Sequence, residues 1–242
     1  GRRASLRPGP GGVSGRHQAM VRLRDETVVG YEALARWNHP EEGWISPDRF
    51  IPVAESTGLI GEIGDLVCRR ACAEVARHGE GEVPAYIAVN VSPVQIRGVD
   101  FVDAIRARRE AAGLSPERLE LEITEQALLN MDPVILARLD ELRRQGVRVA
   151  IDDFGTGFSS LSYLRHLPVD RLKVDRTFVR DLPNDRGNQA ILAAIVTLAR
   201  EFGLDLTAEG VETRAEADQL RSLGCETAQG FLFDRPRIPD PE

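Results

Sequence analysis

Two adjacent aspartates, Asp152 and Asp153, stand at the end of a strand-like pattern and directly before a Gly-x-Gly turn. Apolar residues alternate with other types from Val147 to Ile151, which is the period of a β-strand. Neighbouring carboxylates repel each other and lose hydration on burial, so the pair is costly unless a cation or a proton lies between them. Aspartate and glycine are also ordinary turn residues, and this segment alone fits a solvated turn equally well.

The composition of the chain limits the functions that it can have. Its 242 residues, 42% of them hydrophobic, suffice for one large domain or two small ones. The formal net charge of −7 argues against a nucleic acid polymer as partner, but it permits a small phosphate ligand held by a metal. The three cysteines and four histidines lack zinc-ligand spacing. No apolar run is long enough to span a membrane and no signal peptide opens the chain, so we expect a cytoplasmic domain without membrane contact.

Strand-like and helix-like segments alternate from residue 17 onward. The sequence predicts strands at 17–23, 28–37, 85–91, 118–124, 147–152, 171–175, 205–209 and 225–233. It predicts helices at 47–56, 61–78, 99–112, 133–145, 159–166, 188–202 and 214–223. This alternation favours an α/β fold with a parallel sheet, and eight strands predict a closed (β/α)8, TIM-like barrel. The link between the first two strands is too short for a crossover helix, so the first strand is expected to be antiparallel.

The apolar face of each strand must pack on the outer helices, and the opposite face then fills the barrel. This rule turns one polar residue of each successive strand inward, near its C-terminal end: Glu32, Asn90, Glu122, Asp152, Lys173, Glu209 and Gln229. Active sites of such barrels lie at that end. Four carboxylates that converge there require cations, whereas solvated strand ends would scatter charge over both faces.

The types of these inward residues indicate which metal they would bind. Carboxylates and an asparagine carbonyl, without His or Cys, suit hard cations such as Mg²⁺, Mn²⁺ or Ca²⁺. Asp152 and Asp153 could bridge two ions, as two-metal phosphoryl-transfer sites require. Lys173 could hold a water molecule or balance phosphate charge, and a buried counter-ion fits the pattern equally well.

Seven short motifs are far more specific together than any one of them is alone. They are Glu32-Ala33-Leu34 with Arg36-Trp37, Asn90-Val91-Ser92, Glu122-Ile123-Thr124-Glu125, Asp152-Asp153-Phe154-Gly155-Thr156-Gly157, Lys173-Val174-Asp175, Glu209-Gly210-Val211-Glu212 and Gln229-Gly230. In this order the chain resembles, over residues 18–236, the EAL-domain phosphodiesterases that hydrolyse cyclic di-GMP. The family fold is a (β/α)8 barrel with an antiparallel first strand, in agreement with the short first link.

The resemblance implies a role for each residue of the site. The first metal ion would be bound by Glu32, Asn90, Glu122 and Asp152, and the second by Asp152 and Asp153. Lys173 and Glu209 would position or deprotonate the attacking water, and the product would be linear pGpG. The substrate would be contacted by Gln18, Leu34, Arg36, Asp175 and Gln229. The loop after strand five, residues 153–160, would be braced by Glu125 and Glu212. Mg²⁺ or Mn²⁺ would support activity and Ca²⁺ would inhibit it.

Three departures from the family pattern concern the framework and not the metal ligands. Ala19 follows Gln18 where the family usually has proline. Residues 1–16 are interpreted as a linker or remnant before a barrel over residues 17–242, and the closing helix is expected to be truncated. The resemblance also implies a homodimer, and an upstream sensory or GGDEF domain in a full-length protein that is itself either free or tethered to a membrane.

Two alternatives to an active phosphodiesterase stay open at this point. The first is a cyclic di-GMP receptor with weak turnover, although such degenerate members typically lose the motif glutamate or the paired aspartates that this chain keeps. The second is a different metal-dependent barrel enzyme, such as an enolising lyase. The absence of a second inward lysine or a histidine base makes the lyase the weaker alternative.

Overall fold

The computed structural model describes residues 13–39, 41–77, 86–129, 133–157 and 164–236. The strands within these ranges are β1 (Val13–Arg22), β2 (Val28–His39), β3 (Gly43–Ile45), β4 (Tyr86–Asn90), β5 (Leu119–Thr124), β6 (Arg148–Phe154), β7 (Arg171–Val174), β8 (Asp205–Ala208) and β9 (Thr227–Gln229). The helices are α1 (Pro47–Thr57), α2 (Ile60–Arg77), α3 (Pro93–Ile96), α4 (Phe101–Ala111), α5 (Glu125–Leu129), α6 (Pro133–Arg144), α7 (Arg186–Phe202) and α8 (Arg214–Leu223).

All of these strands except β3 close into a barrel. The sheet runs β1-β9-β8-β7-β6-β5-β4-β2, and the pairing of β1 with β2 closes it. β1 is antiparallel to both of its neighbours, and the other barrel pairs are parallel. The predicted (β/α)8 barrel with an antiparallel first strand is therefore confirmed. β3 lies outside the barrel, where it pairs with the end of β2 from Trp37 to His39.

The apolar stripes of the helices pack on the outward faces of the strands. Ile63, Val67, Ala71 and Val75 of α2 are all buried, as their helical spacing predicted. α8 begins at the predicted capping box, in which Thr213 and Glu216 satisfy each other's backbone N–H groups. No helix of the described residues is long and apolar enough to cross a membrane.

Several predicted boundaries were wrong. β1 begins at Val13, so residues 13–16 of the predicted linker pair with β2 as far as Trp37. β9 ends at Gln229 instead of residue 233, because the chain then turns back and Leu232 donates its backbone N–H to Val211. The sequence did not predict β3, α3 or α5, which are too short to show a period. Most of the predicted helix at 159–166 falls outside the described residues.

The N-terminal half of the barrel lumen is closed by a buried ion pair. Arg171 of β7 donates from Nε to Glu120 Oε2 at 3.0 Å and from Nη1 to the hydroxyl of Thr207 at 3.0 Å. Its guanidinium also lies 5.2 Å from the ring centroid of Tyr86. Polar residues therefore fill the lumen below the site as well as at its mouth.

Candidate active site

Lys173 lies at the centre of the site, with its side chain completely buried. Its Nζ is 2.7 Å from Glu209 Oε1, 2.8 Å from Glu122 Oε1, 3.1 Å from Asp152 Oδ1 and 3.4 Å from Glu32 Oε2. Each carboxylate comes from a different strand or strand end of the barrel, in agreement with the inward faces predicted from the sequence. One ammonium thus faces four acids, and a single positive charge cannot balance them all.

Three amide side chains connect the acids at the β1–β2 side of the cluster. Asn90 Nδ2 donates to Glu32 Oε1 at 2.8 Å and to Glu122 Oε2 at 3.2 Å. Gln229 Nε2 donates to Glu32 Oε2 at 2.7 Å and to Gln18 Oε1 at 3.1 Å. The structure therefore brings Gln18, Asn90 and Gln229 together at Glu32, which fixes the orientation of that carboxylate.

Asp152 and Asp153 approach the same space although neighbouring strand residues normally point to opposite faces. The β6–β7 register shifts between Ile151 and Phe154, so that both aspartates stand opposite Lys173, as in a β-bulge. Asp153 has φ of 54°, a left-handed conformation that aspartate tolerates better than most residues. One oxygen each of Asp152, Asp153 and Glu209 lies within 4.8 Å of the others.

The pKa values of the acids diverge because their partners differ. Burial disfavours the charge of Glu32, but Lys173 and the amides of Gln229 and Asn90 outweigh it and lower the pKa of Glu32. Burial, followed by repulsion from Glu32, raises the pKa of Glu122 well above its usual range. Burial and Asp152 raise the pKa of Asp153 to about 6, and burial raises the pKa of Glu209 to about 8.

The acids fit a hard divalent cation. Glu122 Oε1 and Asp152 Oδ1 are buried and form no well-aligned hydrogen bond with the described residues, although both lie within ion-pair distance of Lys173. Buried carboxylate oxygens of this kind are the ligands that Mg²⁺ and Mn²⁺ prefer. Burial, and after it the surplus of negative charge, raises the pKa values of Glu122, Asp153 and Glu209, because both disfavour the ionised carboxylates.

The loop after β6 is held by Glu125, the first residue of α5. Its Oε2 accepts from the backbone N–H groups of Gly155 at 2.7 Å and Gly157 at 3.3 Å. These bonds agree with the bracing role that the resemblance implies for Glu125. Glu212 is exposed, and its backbone N–H donates to Glu216 Oε2. A contact of Glu212 with this loop stays a prediction.

The other predicted substrate residues lie around the mouth. Leu34 and Arg36 are half-buried on the outer part of β2, on the same strand face as Glu32. Asp175 caps the short 3₁₀ turn after β7, where its Oδ1 accepts from the backbone of Thr177 at 2.9 Å. It also faces Asp153 and contributes to the raised pKa of that residue. Their contacts with a substrate stay predictions.

Asp234 is a residue of the site region that the sequence did not reveal. Its Oδ2 accepts from the backbone N–H of Ala19 at 3.2 Å, and its carbonyl oxygen accepts from Gln18 Nε2 at 3.1 Å. The segment after β9 thereby fastens Gln18 over Glu32. Proline, which the family usually has after this glutamine, has no N–H, so Ala19 needs an acceptor that a proline would not.

We expect Ala19 and Asp234 to be coupled in stability. Asp234→Ala should lower the free energy of unfolding by about 1–3 kcal/mol, because it leaves the buried N–H of Ala19 without its acceptor. Ala19→Pro removes that donor. It should therefore lower the free energy of unfolding clearly less in the Asp234→Ala background than in the wild type. Chemical denaturation of the four proteins measures the coupling. Effects that add within about 0.5 kcal/mol would contradict it.

The chain matches one known protein family over most of its length. The family model for the EAL domain matches residues 11–236. The chain belongs to the EAL domain family. Relatives include the cyclic di-GMP phosphodiesterase NbdA of Pseudomonas aeruginosa, which is 45% identical over 91% of this chain and 28% of its own length. The chain spans between 26% and 35% of the length of the curated relatives of this kind, so it matches one part of each of these longer proteins.

Solved EAL structures share the fold closely. The MucR phosphodiesterase in complex with cyclic di-GMP superposes with a TM-score of 0.87 at 41% identity, over 94% of this chain and 92% of the other. BlrP1 of Klebsiella pneumoniae, in a complex with manganese and cyclic di-GMP, gives a TM-score of 0.82 at 33% identity, over 97% of this chain and 58% of the other. An EAL domain of known fold therefore surrounds the cluster around Lys173.

Proposed function

We propose that this EAL domain is a metal-dependent phosphodiesterase that opens one phosphodiester of cyclic di-GMP to give linear pGpG. The cluster of four carboxylates around Lys173, with Asp153 turned toward it by the bulge, carries the proposal. The name of NbdA and the ligands of the MucR and BlrP1 structures support the choice of substrate and of a divalent ion.

The metal ligands in this proposal are Glu32, Asn90, Glu122, Asp152 and Asp153. A divalent ion bound there would supply Lewis acidity, which activates water and neutralises charge on the phosphoryl oxygens. The amides of Asn90 and Gln229 hold Glu32 in one orientation, so that this ligand needs no rearrangement before binding. Such preorganisation reduces the cost of binding and of catalysis.

Glu209 is the base in this proposal. Its carboxylate accepts a proton from the attacking water as the water oxygen forms a bond to phosphorus. The bond from phosphorus to one ribose oxygen breaks, and that oxygen takes up a proton from solvent and remains in the linear product as a hydroxyl. Lys173 forms an ion pair with Glu209, in which Nζ lies 2.7 Å from Oε1, and thereby keeps the carboxylate in place. In the metal-free fold, burial raises the pKa of Glu209 to about 8, which makes its carboxylate a stronger proton acceptor than that of an exposed glutamate.

Product analysis tests the proposal directly. The purified chain is incubated with cyclic di-GMP in Mg²⁺, Mn²⁺, Ca²⁺ or EDTA, and products are separated by chromatography. We expect pGpG with Mg²⁺ or Mn²⁺, no turnover in EDTA, and inhibition by Ca²⁺, which tolerates looser coordination geometry. If calorimetry shows saturable binding of cyclic di-GMP and no metal gives a product, the chain is a cyclic di-GMP receptor and the proposed catalysis is wrong.

The partners of the whole protein are also proposals. MucR of Pseudomonas aeruginosa is named as a bifunctional diguanylate cyclase and cyclic di-GMP phosphodiesterase, which supports a GGDEF or sensory domain beside this one. A homodimer through the loop after β6 remains our proposal for the assembly. Sedimentation of the purified chain over a range of concentrations tests the dimer separately from activity.

A further inference from the structure

Arg16 lies on the strand face that continues from the acidic cluster out of the barrel mouth. It is two residues from Gln18 on β1, and side chains two apart share a face. The antiparallel register sets Gln18 opposite Glu32, Arg16 opposite Leu34 and Ser14 opposite Arg36. The ribbon formed by β1 and β2 thus carries Arg16 and Arg36 outward from Glu32, each step of two residues spanning about 7 Å.

Trp44 of β3 holds the Arg16 side chain at this position. The guanidinium carbon of Arg16 lies 4.8 Å from the centroid of the Trp44 ring, within the range of a cation–π contact. Trp44 is 52% exposed, an unusual position for so large an apolar ring. The stacking covers one face of the guanidinium and restrains the orientation of its plane.

Arg16 and Arg36 form no ion pair with another residue of the described ranges, unlike Arg143 and Arg171, which each pair with an aspartate or glutamate. Arg16 Nε is buried and has no hydrogen-bond partner among the described residues. The two cations also interact, because burial and then Arg16 lower the pKa of Arg36 by more than the carboxylates of Glu32 and Asp48 raise it. Two adjacent, partly buried guanidinium groups are costly together unless an anion binds between them.

A cyclic dinucleotide carries two phosphates, and the acidic cluster with its metal ions can accept only the one being hydrolysed. The other phosphate cannot lie against surplus carboxylates and requires cations of the protein. Arginine suits this ligand because its planar fork binds phosphate oxygens in pairs. The Arg16–Arg36 pair is the unpartnered positive charge that the β1–β2 ribbon places next to the cluster.

We propose that Arg16, oriented by Trp44, binds together with Arg36 the second phosphate of the substrate, the one that is not hydrolysed. The inference rests on the proposed function and adds two residues to it, Arg16 as a binding residue and Trp44 as a positioning residue. It makes the site selective for a ligand with two phosphodiesters over a ligand with one.

Steady-state kinetics with two substrates tests this assignment. Arg16→Gln is expected to raise KM for cyclic di-GMP by about 10-fold or more, the usual effect of a lost charge-assisted hydrogen bond, with kcat within about 3-fold. Hydrolysis of bis(p-nitrophenyl) phosphate, which has a single phosphate, should change by less than about 2-fold. Trp44→Leu keeps both cations, so it should raise KM for cyclic di-GMP less than Arg16→Gln does. Trp44→Phe keeps an aromatic ring and should raise KM less than Trp44→Leu.

Arg24→Gln is the matched control, because it removes the same charge from an exposed side chain at the opposite end of the barrel. Its KM should equal that of the wild type. An unchanged KM in Arg16→Gln, or an equal loss on both substrates, overturns the inference and leaves the proposed function intact. If the wild type binds cyclic di-GMP without hydrolysis, Kd by calorimetry replaces KM with the same expectations. If the wild type neither binds nor hydrolyses cyclic di-GMP, both this inference and the proposed function are wrong.

Discussion

Asp152→Asn is expected to lower kcat for cyclic di-GMP by at least about 1,000-fold, without unfolding the protein. Asparagine has nearly the same shape as aspartate, so the bulge of β6 should persist. The change removes the negative charge that both proposed metal ions share, and a bound metal contributes several kcal/mol to the stabilisation of such transition states. In the metal-free protein, burial raises the pKa of Asp152, so its charge does not favour folding there.

A thermal-shift titration separates loss of metal binding from loss of the fold. The Tm of the wild type should rise when Mn²⁺ is added, whereas the Tm of Asp152→Asn should not. Asp140→Asn, an exposed aspartate of α6 paired with Arg144, removes the same charge away from the site and should behave as the wild type. Glu32→Ala should lose turnover as Asp152→Asn does. Turnover that survives in both site variants would falsify the metal assignment.

The sequence predicted which residues converge because strands have a period of two. Once the apolar residues of β4 and β5 are assigned to the outer helices, Asn90 and Glu122 must point inward. The structure joins them by a hydrogen bond of 3.2 Å between Asn90 Nδ2 and Glu122 Oε2. The same argument placed Glu32, Lys173 and Glu209 correctly, since their strands are regular up to the barrel mouth.

The period fails where the strand is irregular, and Asp153 shows why. Strict alternation would direct Asp153 away from Asp152, and only the register shift between β6 and β7 brings both toward one point. Asp234 was missed for another reason. Its partner Ala19 is more than 200 residues away in sequence, and a hydrogen bond to a backbone N–H leaves no residue pattern. The only available signal was the absence of proline at residue 19.

Lys173 could not be assigned from the sequence, because a catalytic lysine and a buried counter-ion occupy the same position in the pattern. The structure shows a counter-ion geometry, with no exposure of the side chain and four carboxylates around Nζ. Burial opposes the charge of Lys173, but Asp152, Glu122, Glu209 and Glu32 together raise its pKa well above the ordinary value. The ammonium therefore serves as the counter-charge of these four carboxylates in the metal-free fold.

Lys173→Met is expected to lower the free energy of unfolding of the EDTA-treated protein by about 3–5 kcal/mol at pH 8. This is the usual cost of leaving buried charge without its partner. The loss should be smaller at pH 5, where protons can take the place of the ammonium. Glu209 illustrates the sign, because its pKa of about 8 in the fold lies above the ordinary 4.5. A carboxyl shifted in this direction favours the fold at low pH and loses that contribution as the pH rises from about 4.5 to 8.

Divalent metal should restore much of this stability, because an ion among the carboxylates supplies the positive charge that methionine lacks. Arg171→Met is the matched control, since Arg171 is a buried cation of the same strand, paired with Glu120 at 3.0 Å. Arg171→Met should also be less stable than the wild type. Mn²⁺ should raise its free energy of unfolding by no more than it raises that of the wild type. Urea denaturation of both variants at pH 5 and pH 8, with Mn²⁺ and with EDTA, measures these free energies of unfolding. If Lys173→Met is as stable as the wild type in EDTA at pH 8, the four carboxylates do not depend on Lys173 as their counter-charge, and the prediction is wrong.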